Sequence, residues 1–175
     1  MKSMMGQIPL EKEFSGFGAV KSVYSRILHS LARYLPMYPK WRVALHRARG
    51  VKIGESVFIG SDVFIDNTYP DKIIIEDCVT VISNTFIIGH SFTPLHLRKV
   101  LTTENGEKEG VILRKGSYIG AKSIIMPGVE IGECSVIGSG SVVTNDIQPY
   151  TIAMGAPARV VRTFSKDDIL WKKSI

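Results

Sequence analysis

A spacing of six governs most of this chain. Ile53, Ile59 and Ile65 stand six apart, as do Ile75, Val81 and Ile87, and Leu113, Ile119, Ile125, Ile131, Ile137 and Val143 keep the step without a break. An amphipathic helix repeats its apolar face at about 3.6 residues and a half-buried strand at about 2, so neither produces this register. Four places after the anchors come small or β-branched residues: Val57, Val63, Val79, Thr85, Ser117, Ser123, Val129, Ser135 and Ser141. One place after them glycine recurs, at Gly54, Gly60, Gly120, Gly132 and Gly138, where a tight corner wants either positive φ or no side chain. Each unit then reads as one short strand and a corner, with its aliphatic anchor pointing inward. Three units close a triangular turn, and since no unit buries its anchor alone, stacked turns must supply the core. The anchors amount to about four turns.

The register breaks twice. Four extra residues, around Asn67 to Asp71, separate Ile65 from Ile75, and twenty separate Ile87 from Leu113. The longer insertion, residues 91–110, is polar and charged and is expected to leave the coil as an external loop, where function tends to collect in repeat proteins. Ahead of the coil, residues 1–50 read as a helical segment. Val20, Val23, Tyr24, Ile27, Leu28, Leu31, Tyr34 and Leu35 fall on one face of a helix that Pro36 and Pro39 end, and a second helix is expected from about Lys40 to Arg49, closed by Gly50. Residues 51–162 form the coil. Residues 163–175 read as a terminal helix capped by Ser165, with Asp167 and Asp168 in its first turn and Lys172 and Lys173 in its last. Ile169, Leu170 and Trp171 would cover the open end of the coil.

At 175 residues and 45% hydrophobic content the chain can bury one core without disulfides or metals. Cys78 and Cys134 lie apart inside the repeats and read as small buried or half-buried side chains in a reducing cytoplasm. No secretory leader or membrane-length apolar run is visible, so a cytoplasmic chain is expected. The net charge of +6 sits in residues 1–50, which carry nine Lys/Arg against two Glu. No aromatic-interleaved basic stripe points to nucleic acid; a solvated helix face accounts for the charge, and a peripheral contact with an anionic membrane stays open.

The stretch IGAKSIIMPGVEIGECSVIGSGSVV resembles the hexapeptide-repeat acyltransferases of the maltose and galactoside O-acetyltransferase kind, and GAPARVVR after it is similar to the segment that closes their coil. The likeness spans roughly residues 41–162. It implies an all-β fold, a single-stranded left-handed parallel β-helix with N-terminal helices and a short C-terminal helix. Left-handedness departs from the usual crossover rule and comes from the resemblance alone. It implies transfer of an acetyl group from acetyl-CoA to a hydroxyl of a sugar or polysaccharide precursor, without a metal, in a homotrimer.

Such a transfer needs a group to take the acceptor proton, and imidazole titrates nearest neutrality. Of four histidines, His29 and His46 fall in the helices as surface or packing residues. His90 stands where the coil gives way to the long loop, in IIGHSFTP, and the resemblance makes it the general base; alone it would read as a loop histidine. His96 is the second choice and could line the acceptor site. By the same resemblance the Ala121 amide is the oxyanion donor, Ser139 contacts the pantetheine arm, and Arg159 and Arg162 meet the CoA phosphates. Asn145 stands where the sugar enzymes often carry Lys, and Tyr118 where they often carry Trp. Asp66 and Asn67 fall where a polar acceptor ligand, frequently Asn, is placed; an ionised Asp66 accepts hydrogen bonds but does not donate them.

Three alternatives weigh against this reading. A zinc carbonic anhydrase on the same coil needs three histidine ligands, and only His90 and His96 lie in the coil region. A scaffold that kept the coil and lost the chemistry has no reason to combine His90, Gly120-Ala121, Arg159 and Arg162. Within acyl transfer, an amino sugar or a xenobiotic such as an antibiotic is the other acceptor class, while serine acetylation is disfavoured by the short N-terminal segment.

Overall fold

The computed structural model describes residues 16–91, 96 and 109–170. Two helices precede the coil, α1 (Gly16–Tyr34) and α2 (Pro39–Ala48). The first coil is β1 (Lys52–Ile53), β2 (Phe58–Ile59) and β3 (Phe64–Ile65), and a 3-10 turn (Pro70–Lys72) leads to the second, β4 (Ile73–Ile75), β5 (Thr80–Val81) and β6 (Phe86–Ile87). After the long loop come β7 (Val111–Leu113), β8 (Tyr118–Ile119) and β9 (Ile124–Ile125), then β10 (Val129–Ile131), β11 (Val136–Ile137) and β12 (Val142–Val143). The strands stack in parallel into three sheets, in the orders β1-β4-β7-β10, β2-β5-β8-β11 and β3-β6-β9-β12. This is the expected left-handed parallel β-helix. A final hairpin, β13 (Thr151–Gly155) and antiparallel β14 (Ala158–Thr163), adds to the second sheet and ends its growth.

Eleven of the twelve anchors are at most 1% exposed, and half-buried Ile53 packs against them at the open end. A fully buried aliphatic side chain contributes about 2 kcal/mol, so the axis of the prism is where stability resides. The small residues two places before the next anchor are buried as well. Ser117, Ser123, Ser135 and Ser141 are 0% exposed, and the last three donate to the carbonyls of Gly138, Gln148 and Gly138 respectively.

Of the two reasons for glycine after each anchor, the structure bears out the need for no side chain and not the positive φ. None of Gly54, Gly60, Gly120, Gly132 and Gly138 has positive φ; a side chain there would collide with the next coil, 2.4 Å from the Pro149 nitrogen at Gly132 and 2.6 Å from the Ser139 nitrogen at Gly120. The left-handed residue lies two places further on, at Ser56, Asp62, Cys78, Asn84, Gly116, Lys122, Gly128, Cys134 and Gly140. So the glycine after each anchor serves close stacking, and the bend is made by whatever residue follows at the third place. Both cysteines are such corner residues and are free thiols.

The flanking helices also depart from expectation in how they pack. The apolar stripe of α1 faces outward: Val20 is 69% exposed, Ile27 54% and Tyr34 67%. Its buried side is Ser25, Leu28, His29 and Ala32. Polar contacts hold it instead, with Arg33 paired to Asp62 at 2.5 Å and Arg49 reaching Ser25 Oγ at 3.5 Å. At the other end, Ser165 caps only a single 3-10 turn, Lys166–Asp168, because the chain is extended again at Ile169; Leu170 is 94% exposed and covers nothing. Trp171, Lys172 and Lys173, like residues 1–14 and nearly all of the 91–110 loop, lie outside the described residues.

Two glycine substitutions separate these effects. Gly132→Ala, pressed against backbone of the next coil, should lose about 3 kcal/mol, whereas Gly140→Ala, with nothing within 4 Å, should lose about 1 kcal/mol for its left-handed backbone. Denaturant unfolding of both variants checks the order; equal losses would contradict it.

Candidate active site

Each coil has three corners, and stacking turns them into three columns running the length of the prism. Within a corner, the residue one place past the anchor donates its amide to the next coil, and the residue three places past donates to the coil before, as Gly120 does to Ile137 O at 2.8 Å and Lys122 to Ser83 O at 3.3 Å. The residue between them has no such partner by geometry. In the second column these residues are Ser61, Ser83, Ala121 and Ser139. Among the described residues the amides of Ala121 and Ser139 meet no acceptor, so this edge presents outward N–H groups spaced by about 4.8 Å. The β13–β14 hairpin stacks at the lower end of the same sheet and carries exposed Arg159 and Arg162. Tyr118 lies on the outer face of β8, 42% exposed and three residues from Ala121. Asn145 is in the third column and exposed, and donates to Thr144 Oγ1 at 3.2 Å.

His90 stands at the third column, at the top of the long loop. Its Nδ1 lies 2.5 Å from Asp66 Oδ2, and Tyr69 meets the ring edge-on with centroids 5.7 Å apart. Asp66, 1% exposed, also accepts from the amides of Thr68 at 2.7 Å, Tyr69 at 3.1 Å and Gly89 at 2.8 Å. Burial alone would raise its carboxyl. The hydrogen bonds from the Tyr69 amide, the His90 ring and the Gly89 and Thr68 amides outweigh burial and hold it below the usual carboxylate value. Since a carboxylate only accepts, His90 Nδ1 carries the proton and Nε2 keeps its lone pair in the neutral ring.

The Asp66 carboxylate, expected to meet the acceptor, is buried against the His90 ring and the Thr68, Tyr69 and Gly89 amides. The four-residue interruption makes this possible: it supplies the Thr68 and Tyr69 amides. Gly89 supplies the room, for a Cβ there would lie 3.2 Å from Asp66 Cβ. Asn67 is turned inward too, its Oδ1 accepting from Arg49 at 3.0 Å. His96 is exposed. Sequence reasoning missed Tyr69, Gly89 and Arg49. Their only signal was proximity to the interruption, and Arg49 lacked even that.

With the fold and the site laid out, likeness to known proteins carries weight. A family model, bacterial transferase hexapeptide (six repeats), matches residues 110–145. The galactoside O-acetyltransferase of Escherichia coli (strain K12) is 35% identical over 137 residues, covering 76% of this chain and 61% of that protein. The chain belongs to the hexapeptide-repeat transferase family. A maltose O-acetyltransferase from Clostridium difficile 630 superposes with a TM-score of 0.61 at 27% identity, over 88% of this chain and 91% of that one. A galactoside acetyltransferase solved in complex with coenzyme A gives 0.60 at 25% identity, over 89% and 86%. A hexapeptide-repeat acetyltransferase from Vibrio cholerae, at 24% identity and a TM-score of 0.67, shares the fold, over 87% of this chain and 96% of that one. The chain spans between 33% and 61% of the length of the curated relatives it matches.

In this hexapeptide-repeat chain, His90 and the Ala121–Ser139 edge occupy neighbouring columns, separated by the face made of β3, β6, β9 and β12. Two clefts of the protomer, about 430 Å³ beside Lys52, Glu76 and Lys115 and about 550 Å³ between residues 33–37 and Ser61 and Ser83, contain neither His90 nor Ala121. Among the described residues no three His, Cys, Asp or Glu side chains gather as metal ligands.

His29 and His46 are packing residues whose Nδ1 atoms face Arg49 Nη1 at 3.0 and 3.3 Å. Burial, with Arg49 beside them, lowers His29 from 6.5 to about 4 and His46 to about 3. Both are neutral in the fold, so the stability they confer is fully present above their unfolded value and is lost as the pH falls toward these values. Between about pH 6.5 and pH 5, before most carboxylates titrate, unfolding free energy should fall by about 1–2 kcal/mol per histidine. Denaturant titrations at several pH values should show that slope in the wild type and a flatter one in His29→Gln/His46→Gln; identical slopes would contradict the assignment.

Proposed function

We propose that the chain is an acetyltransferase that moves the acetyl group of acetyl-CoA to a hydroxyl of a sugar or polysaccharide precursor, with His90 as general base. The observation that carries the proposal is the His90–Asp66 pair, because a carboxylate on Nδ1 leaves Nε2 as the ring atom that can accept a proton. The acceptor oxygen attacks the thioester carbonyl carbon while its proton passes to Nε2. The Ala121 amide holds the resulting oxyanion. The tetrahedral adduct then collapses: the C–S bond breaks and the proton returns from the imidazolium to the CoA sulfur. Asp66 fixes the ring tautomer and stabilises the transient imidazolium. The pantetheine arm follows the second column past Ser139, and Arg159 and Arg162 at its foot receive the phosphates, with Asn145 at the edge of the cofactor path. Tyr118 and His96 border the acceptor, while Asn67 is held behind them by Arg49. The likeness to galactoside and maltose O-acetyltransferases supports a sugar acceptor; an amino sugar or antibiotic hydroxyl is the other class.

His90→Ala should lower kcat by about 10²–10⁴ while leaving KM for acetyl-CoA nearly unchanged. Asp66→Asn should lower kcat by about 10² or more, since the amide no longer enforces the tautomer. Steady-state kinetics against a panel of sugars, amino sugars and antibiotics measure both, and full activity in His90→Ala overturns the proposal.

We infer further that the working unit is a homotrimer. His90 and Ala121 lie on different edges of one prism, and the face between them is apolar outside: Phe64 and Phe86 stack at 5.7 Å, with Ile124 and Val142 below. Packing of these faces would set His90 of one protomer against the second column of the next. Mixing His90→Ala subunits with Ala121→Pro subunits, each inactive alone, should then restore roughly a quarter of wild-type activity after co-refolding. No restoration would mean that each protomer works by itself. The outward apolar stripe of α1, beside the basic N-terminal segment, supports a peripheral membrane contact of a cytoplasmic protein; no described helix is long and apolar enough to cross a membrane.

A further inference from the structure

Arg49 closes α2 and is 4% exposed, yet among the described residues no carboxylate pairs with it directly. Its guanidinium instead grips the segment that carries Asp66. Nη1 donates to Ile65 O at 3.0 Å, and Nη2 donates to Asp66 O and to Asn67 Oδ1, the latter at 3.0 Å. The remaining contacts are to Ser25 Oγ on α1 and to Nδ1 of His29 and His46. Arginine has donors only, so both imidazoles must accept from it and are neutral. The Asp66 residue is therefore clamped twice. Its side chain is held by the 68–69 turn, Gly89 and His90, and its main chain by a planar fork anchored in the helices.

We propose that Arg49 is a positioning residue for the His90 site, by which the N-terminal helices fix the carboxylate that sets the imidazole's tautomer. The chemistry suits the task. A guanidinium binds three acceptors on consecutive residues in one plane, which an ammonium does not. A carbonyl pair left without donors would rotate toward other partners, since a buried unsatisfied carbonyl costs about 1–3 kcal/mol. Movement at Ile65–Asp66 then shifts the carboxylate away from His90 Nδ1.

Arg42 provides a matched control. It is also a buried α2 arginine, 4% exposed, donating to Ala32 O at 2.8 Å and Ile59 O at 2.9 Å, but it is bonded to the first coil away from Asp66. A general loss of helix docking would follow from either residue; loss of the His90 geometry should follow from Arg49 alone.

The test is ¹⁵N-histidine NMR of the full chain, with the His90 signals assigned by their loss in His90→Ala. The wild type should show His90 as the Nδ1–H tautomer. Arg49→Gln should move it toward the Nε2–H form and lower kcat about ten- to a hundredfold with KM for acetyl-CoA unmoved, while Arg42→Gln keeps the wild-type tautomer and kcat. Should Arg49→Gln fail to fold, Arg49→Lys, which reaches one acceptor, is read the same way. A folded Arg49 variant with the wild-type tautomer overturns the proposal, as does an equal shift in Arg42→Gln. The proposal rests on His90 as base only for its kinetic arm. Full turnover in His90→Ala would refute the base, whereas the tautomer judges Arg49 independently.

Discussion

Everything in this molecule depends on aliphatic side chains meeting along one axis. An inward anchor every sixth residue leaves no choice but a three-sided coil, and the coil is stable only because each turn buries the anchors of the next. That constraint also decides where polar chemistry can occur. Faces are occupied by ladders and the axis by Ile, Leu and Val, so only corners present free backbone donors. Two adjacent corner columns then differ in kind. One keeps its register and offers a regular edge of amides, and the other is interrupted and offers a histidine.

The interruption is the counterpart of the regularity. Four additional residues after Ile65 form the turn whose amides stabilise the charged Asp66 carboxylate, and the following coil brings Gly89 and His90 down upon it. A buried carboxylate without such donors would take up a proton and lose its hold on the ring. The same segment is fixed on its other side by Arg49, with two imidazoles kept neutral around the guanidinium. The flanking helices thus belong to the site energetically through the Arg49 clamp on the segment that carries Asp66.

Much of this was legible in the residues. The anchors, the small residues behind them and both breaks in register could be read directly, because a stack of identical turns makes each core position a local property of the sequence. The glycine after each anchor was half legible: the need for no side chain was right, but the bend sits at the third place, where Lys122 and Asp62 take up the left-handed backbone that Gly116 adopts without a Cβ penalty. Asp66 was not legible in its observed part, since its partner His90 lies 24 residues away and reaches it only through stacking. The stripe on α1 was legible as a face but not in its direction: of its residues only Leu28 is buried, and Ser25, His29 and Ala32 turn inward with it.

The account turns on an edge of corner amides in one protomer serving a histidine from another. A crystal structure of the chain with CoA measures that most directly. The pantetheine arm should run along the Ala121–Ser139 edge, with its sulfur within reach of Nε2 of His90 from a neighbouring copy. CoA bound along another edge, or a sulfur nearest the His90 of the same protomer, would contradict it.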